Sequence, residues 1–300
     1  MDQLEAMRIL LRSVEKGSFS AAARDLRMPL ATLSRKVAAL EAHLGARLLL
    51  RTTRKLAPTE AGRAYLASAR RILADVDEAE RVAAGEFRLP SGELVLTAPV
   101  LFGQLHILPI VTAFLAAYPG ISVRMPFSDR NLDLIDEHVD MAARIGPLAD
   151  SSMVATRAGS MRMVVCGSPG LLAAHGEPKS PEDLAALPCV SFDALSPVSS
   201  WPFRQGPTDL IQVPIHPRLS VSTAQAAVWA AVQGVGVTRV LHYQCADALR
   251  DGLLRLILPT FELEPLPVHL VHTPRGDLPL KMRVFLDFAL PRLRHALKSL

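Results

Sequence analysis

The sequence predicts an α+β multidomain chain: a small helical module with a hairpin, then a long helix, then a larger α/β part. Three observations predict it. The chain has 300 residues, half of them hydrophobic and 21% charged, enough for more than one core. Its charge is uneven, with a formal excess of +8 within residues 24–71 on a chain whose net charge is only +4. Hydrophobic spacing also changes along the chain, from helical periods in the first 90 residues to alternating strand and helix patterns beyond them. Aromatic residues make up only 5%, so the cores must be mainly aliphatic. No run approaches the roughly 20 apolar residues of a membrane span. The charged start, MDQLEAMRILLRSVEKGS, has no signal-peptide core, so the expected location is the cytoplasm and no membrane is expected.

Residues 1–58 read as a winged helix-turn-helix. Leu4, Met7, Leu10, Leu11 and Val14 make a helical stripe that ends at Gly17. A short second helix follows Ser20 through three alanines to Leu26. Pro29 suits the first turn of a third helix, whose core face carries Leu33, Val37, Leu40 and Leu44, and Gly45 stops it. Leu30, Ala31, Thr32, Ser34 and Arg35 are then the candidate DNA-reading residues, since the second helix of such a unit enters the major groove. Residues 47–57 read as a wing hairpin with Arg54 at its tip, and the basic block falls on these same elements. The partner these features call for is double-stranded DNA.

Residues 59–90 read as a linker and dimerisation helix. Thr59 is its N-cap, and Tyr65, Ala69, Ile72, Val76, Ala79 and Ala83 recur as a heptad seam. The alternative is a helix packed on its own winged module. The stretch 88–92 reads as the hinge.

Residues 91–300 alternate strands and helices, which implies parallel βα units. Strands are expected at 94–97, 121–127, 141–145, 161–166, 189–192, 219–222, 236–238 and 267–272. Helices are expected around 105–118, 132–137, 224–233 and 280–297.

The segments GSFSAAARDL and LSRKVAALEAHLGARLLLRTTRKLAPTEAG carry Ser18-Phe19-Ser20-Ala21-Ala22, Ser34-Arg35, Leu40-Glu41, Leu44-Gly45, Arg51 and Thr59-Glu60-Ala61-Gly62. This combination resembles the N-terminal domain of LysR-type transcriptional regulators. Asp140, Arg144-Ile145-Gly146, Ser168-Pro169, Gly234-Val235-Gly236 and Gly252 extend the resemblance, more loosely, over nearly the whole chain. It implies that Ser34 and Arg35 reach the major groove and that Arg54 reaches the minor groove or the backbone. It implies subunit pairing through the linker helix, as a homodimer or homotetramer, with RNA polymerase as a further candidate partner. Many members carry Gln at the position of Leu30. Leucine cannot pair with an adenine edge and would instead pack on a thymine methyl.

For the larger domain the resemblance implies two lobes of the periplasmic-binding-protein type, lobe I about 91–160 and 267–300 and lobe II about 161–266. A small-molecule effector is then expected between them, at strand C-termini. Candidate contacts are Thr97, Pro99, Val100, Leu101, Ser128, Arg144, Ser222 and Thr223. Arg144 is the one cation of the set, and a salt bridge with an acid such as Asp140 is its competing fate.

Catalysis has no positive support. Gly-x-Ser-x-Gly, His-Glu-x-x-His and P-loop motifs are all missing from the sequence. Gly234-Val235-Gly236 lacks a third glycine and follows a helix, so it is no nucleotide loop. His269 and His272 fall on opposite faces of a strand, so no metal site and no cofactor is expected. Cys166 reads as a core thiol, with a redox pair among Cys166, Cys189 and Cys245 as the alternative. The reading is therefore a DNA-binding regulator controlled by an effector, not an enzyme. The alternative is a non-regulatory solute-binding or catalytic α/β protein with an N-terminal interaction domain.

Overall fold

Asp2 accepts a hydrogen bond from the Glu5 N–H and starts helix α1 (Gln3–Glu15), and Ser18, two residues before the expected Ser20, accepts from the Ala21 N–H and starts α2 (Phe19–Asp25). Residues 26–29 turn the chain into α3 (Leu30–Leu44), with Arg27 in the left-handed region at φ 50°. Pro29 is the N-cap of α3 rather than its first helical residue, and offers no side-chain cap. Gly45 ends the helix at φ 64°, where a side chain would be strained. Strands β1 (Leu49–Arg51) and β2 (Leu56–Pro58) pair antiparallel as the wing, and α4 (Glu60–Ala83) follows. The computed structural model describes residues 2–51, 56–83, 90–148, 153–192, 199–206, 209–274 and 278–298. It divides into the units Met1–Gly92 and Glu93–Leu300.

One core holds the first unit. Met7, Ile9, Leu10 and Leu11 of α1 meet Ala22 and Ala23 of α2, and Leu33, Val37 and Leu40 of α3. Leu44, expected on that core face, is exposed, because the stripe has drifted off the core by the last turn. Leu66, Ala69 and Leu73 of α4 are buried in the same core, with Tyr65 packed against it. This corrects the expected heptad seam. Tyr65 and Ala69 belong to the module's own packing, whereas Ile72 and Ala79 are exposed and Val76 is half-buried. Gly62 explains how close α4 comes to the wing, since a Cβ there would sit 2.0 Å from the Leu48 carbonyl oxygen.

The second unit is built on two five-stranded sheets, one per lobe. Lobe I has the order β4-β3-β5-β14-β6, from Ile121–Arg124, Gly92–Thr97, Met141–Ile145, Leu266–His272 and Val154–Met161. Lobe II has β11-β8-β12-β7-β13, from Pro217–Val221, Cys189–Phe192, Val237–Leu241, Met163–Gly167 and Arg255–Ile257. The chain crosses between the lobes twice, after β6 and before β14. The expected all-parallel arrangement is corrected. β3 and β5 are parallel, as are β11, β8 and β12, but β14 and β7 run antiparallel to their neighbours because each crossover re-enters its sheet from the other lobe.

Helix α5 (Val100–Phe102) passes through a π turn (Gly103–Ile107) into α6 (Leu108–Ala117). Pro109 has no N–H for the regular ladder, which fits a widened turn just before it. These 18 residues are apolar enough to cross a membrane by length and composition. Here Phe102, Ile107, Ile110, Val111 and Phe114 are buried in the lobe I core instead, against Phe285 and Ala289 of α10 (Leu280–Lys298). In lobe II, α8 (Ala224–Val232) and α9 (His242–Arg250) cover one sheet face. On the other lie α7 (Pro169–His175) and the antiparallel hairpin of β9 (Ser200–Gln205) and β10 (Asp209–Pro214). Residues 132–137, expected as a helix, form a turn held by the Asp133 carboxylate, which accepts from the Ile135 and Asp136 N–H groups.

Candidate functional site

The outward face of α3 carries the first group of candidates. Leu30, Ala31 and Arg35 are exposed, and Thr32 and Ser34 are part-buried, opposite the Leu33–Val37–Leu40 stripe. The other cations of α1 and α3, with Lys16 at the end of α1, are committed: Arg8 pairs with Asp77, Arg12 and Lys16 with Asp25, and Lys36 with Glu5. Arg35 has no hydrogen bond or ion pair among the described residues. An exposed, uncommitted guanidinium on a protruding helix can take a phosphate or a guanine edge. Arg54 lies outside the described residues.

Glu41 is a residue that sequence reasoning quoted without a role. Its carboxylate accepts from the Leu48 and Leu49 N–H groups, 2.8 and 3.1 Å, and so fixes the wing to α3. Thr59 donates to the Arg47 carbonyl and accepts from the Gly62 N–H, capping α4 as expected and tying it to the same strand.

In lobe I the structure brings Thr97–Leu101 together with Ser128-Asp129. The Ser128 N–H donates to the Ala98 carbonyl, and the Val100 N–H donates to the Asp129 carboxylate, 2.9 Å. Pro99 caps α5 and Leu101 packs against the lobe I core. Two of the hydroxyls are engaged internally. Thr97 is buried and donates to the Pro126 carbonyl, and Ser128 closes a local turn with Arg130. Arg144 is corrected on its partner. It donates to the Leu132 carbonyl and lies near Asp133, while Asp140 is buried, accepts from the Val95 N–H and stands 3.6 Å from Lys281. In lobe II, Thr223 accepts from the Ala226 N–H as the cap of α8, and Ser222 is exposed beside it. No hydrogen bond among the described residues joins this pair to the lobe I cluster.

What does join the lobes is aromatic, and sequence reasoning missed it. Phe102 and His106 of lobe I, 5.0 Å apart, meet Tyr243 at the start of α9, with ring centroids 5.7 and 5.5 Å from it. Tyr243 and Leu241 of lobe II pack into the lobe I core. The α9 N-terminus is held at the crossover, where the His242 N–H donates to the Arg162 carbonyl and Arg162 pairs doubly with Glu262 of the second crossover. Burial pushes the Tyr243 hydroxyl up to about 12 and lowers the His106 imidazole, whose Nε2 is buried without a hydrogen-bond partner. The signal available in the sequence was the scarcity of aromatics, which makes Phe102 and Tyr243 stand out.

Comparison with known proteins places these features. Residues 4–63 match the model of the bacterial regulatory helix-turn-helix proteins of the lysR family, and residues 87–294 match the LysR substrate binding domain. An HTH-type transcriptional regulator of Xanthomonas campestris pv. campestris is 34% identical over 95% of this chain and 84% of its own. An uncharacterized HTH-type transcriptional regulator of Haemophilus influenzae is 33% identical over 94% of this chain and 98% of its own. Among solved structures, CrgA, a LysR-type transcriptional regulator from Neisseria meningitidis, is 31% identical with a TM-score of 0.61, covering 96% of this chain and 98% of that one.

Proposed function

This chain belongs to the LysR-type transcriptional regulators, and from that premise we propose that it reads DNA through the outward face of α3 and answers to an effector held between its two lobes. The observation that carries the DNA reading is Arg35, exposed and uncommitted in a unit whose other α1 and α3 cations are paired. Leu30, Ala31, Thr32 and Ser34 lie around it, with Leu30 offering apolar contact to a thymine methyl. Arg54 is assigned to phosphate or minor groove.

The effector reading rests on the shape of the lobe junction. Two crossovers, an aromatic cluster and a capped helix start meet there, so a ligand seated against both lobes would change their angle. That change would alter the spacing of paired DNA-binding modules, and so which half-sites are bridged and how the DNA is bent. A homodimer or homotetramer is the working assembly. Ile72 on α4 and Leu105 and Leu108 on the π turn and α6 are exposed apolar positions that a second copy would cover. RNA polymerase is the partner at the promoter, the cytoplasm is the location, and the effector is the only small molecule required.

The test is a footprinting titration of the purified chain on the DNA upstream of its own coding sequence. Specific protection at two half-sites, altered by a cell-derived small molecule, is expected. Salt-sensitive binding without any protected site would overturn the reading.

A further inference from the structure

Arg239 sits in the middle of β12, the central strand of the lobe II sheet, and it is part-buried. Among the described residues it has no hydrogen bond and no carboxylate partner. The carboxylates around the crossovers and the lobe I loop are committed elsewhere: Glu262 to Arg162, Glu264 to Arg204, and Asp129 to the Val100 N–H. Burial pushes the Arg239 guanidinium down to about 10.

Alternation along the strand shows where Arg239 points. Val237 and Leu241 share its face. Val237 belongs to the lobe II core, whereas Leu241 packs against the core of lobe I. Arg239 lies between them, so it faces the junction of the lobes. Its neighbour across β7 is Val165, and Val165 is paired in turn with Ile257. On the other side, β8 runs parallel with Thr238 opposite Val190, so one step further places Ser191 beside Arg239. Ser191 is buried, and its hydroxyl donates to that of Ser220, its partner on β11, at 2.7 Å. The result is a polar row, Ser220–Ser191–Arg239, across the C-terminal halves of three parallel strands, walled by aliphatic side chains. Ligands of open α/β sheets sit at that end.

We propose that Arg239 is the anchor for an anionic group, a carboxylate or a phosphate, on the effector that enters the lobe junction. The inference rests on the effector reading above and gives it a chemical class: a small acid with an aliphatic body. Arg144 is less free than Arg239, because it already donates one N–H to the Leu132 carbonyl and lies near Asp133. The planar fork of Arg239 matches two anionic oxygens, and a desolvated site strengthens the pair. A part-buried guanidinium with no carboxylate partner among the described residues loses some of its hydration and gains no counter-charge, which costs the ligand-free protein stability. The charge is therefore retained at a cost that binding removes.

The experiment uses the full chain and the variants Arg239→Met and Arg239→Lys. Thermal melts are recorded without ligand, then with tens of millimolar valerate, inorganic phosphate or the neutral valeramide. The ligand-free Arg239→Met protein is expected to melt about 2–4 °C above wild type. Valerate, phosphate or both should stabilise wild type more than valeramide does, and the melting data will separate the carboxylate arm from the phosphate arm. Calorimetric affinity for the preferred anion should fall about 10–100-fold in Arg239→Met. Arg239→Lys keeps the charge without the fork, retains part of the affinity, and serves if the methionine variant does not fold. Equal stabilisation of wild type and variants by both anions, or none of either, would overturn the proposal. So would an Arg239→Met protein that melts below wild type. Gel shifts on the upstream DNA are run in parallel. A wild type that binds an anion through Arg239 but protects no DNA would count against the regulator reading and leave the anion site standing.

Discussion

Arg35 and Glu41 lie two turns apart on one helix and do opposite things. Arg35 faces solvent without a partner among the described residues, while Glu41 turns inward to hold the first wing strand by two backbone N–H groups. Arg35→Ala is expected to weaken specific DNA binding by ~1–3 kcal/mol, the range for a good base contact, with unchanged melting temperature. A footprinting titration measures it, and equal affinity would remove Arg35 from the interface. Glu41→Ala should instead cost ~1–3 kcal/mol of stability in the first unit, because two part-buried donors lose a charged acceptor. Denaturant unfolding of the chain, followed by far-UV signal, reads that loss. A variant as stable as wild type would mean that water replaces the carboxylate.

At the scale of elements, α4 is two surfaces in one helix. Its first turns bury Leu66, Ala69 and Leu73 against the winged module, while Ile72 stays 41% exposed. Both the pairing helix and the self-packed helix were legible in one periodicity, since steps of three and four describe either contact. Only burial separated them. Ile72→Asp is expected to disrupt subunit pairing without unfolding the module, since it places a carboxylate on the outward face and leaves the inner stripe intact. Sedimentation of the full chain, with a melt alongside, tests this. An unchanged sedimentation coefficient would move the pairing surface off this face. The hairpin β9–β10 was missed in the sequence even though Trp201, Phe203, Ile211 and Val213 alternate as a strand pair should. Pro202 and Pro214 lie within these strands, and they are tolerated because the two strands form a sheet of their own.

For the larger unit as a whole, pH is the probe. The imidazoles of His106, His242 and His269 are all lowered from their ordinary value, first by burial and then, for His242 and His269, by nearby Arg162 and Arg157. Each therefore takes up a proton more readily in the unfolded chain. Stability is complete above the unfolded imidazole value of ~6.5 and declines as pH falls below it toward the lower folded values. Melts between pH 8 and pH 5 (a range of ordinary buffers, about 1.5 units either side of ~6.5) should show that decline. His106→Phe, which keeps a ring against Phe102 and Tyr243, should flatten it in part. A decline that is as steep in the variant would assign the effect to the other two imidazoles.

The sequence by itself determined the three helices of the winged module, because caps, glycines and apolar periods act within a few residues of one another, and its motifs carried the resemblance to the family. Thr59 and Gly45 fix helix ends wherever the rest of the chain goes, whereas α2 is capped by Ser18 and not by the expected Ser20. Tertiary structure decided everything that depends on partners far apart in the chain. It gave Arg144 to the Leu132 carbonyl rather than to Asp140. It turned Thr97 toward the Pro126 carbonyl, 29 residues away. It also set Tyr243 against Phe102 and left Arg239 without a counter-charge among the described residues. Local spacing can say that a residue is charged and where its strand ends. Only the packed lobes determine which charges are neutralised, because neutralisation depends on which distant groups the fold brings within hydrogen-bond reach.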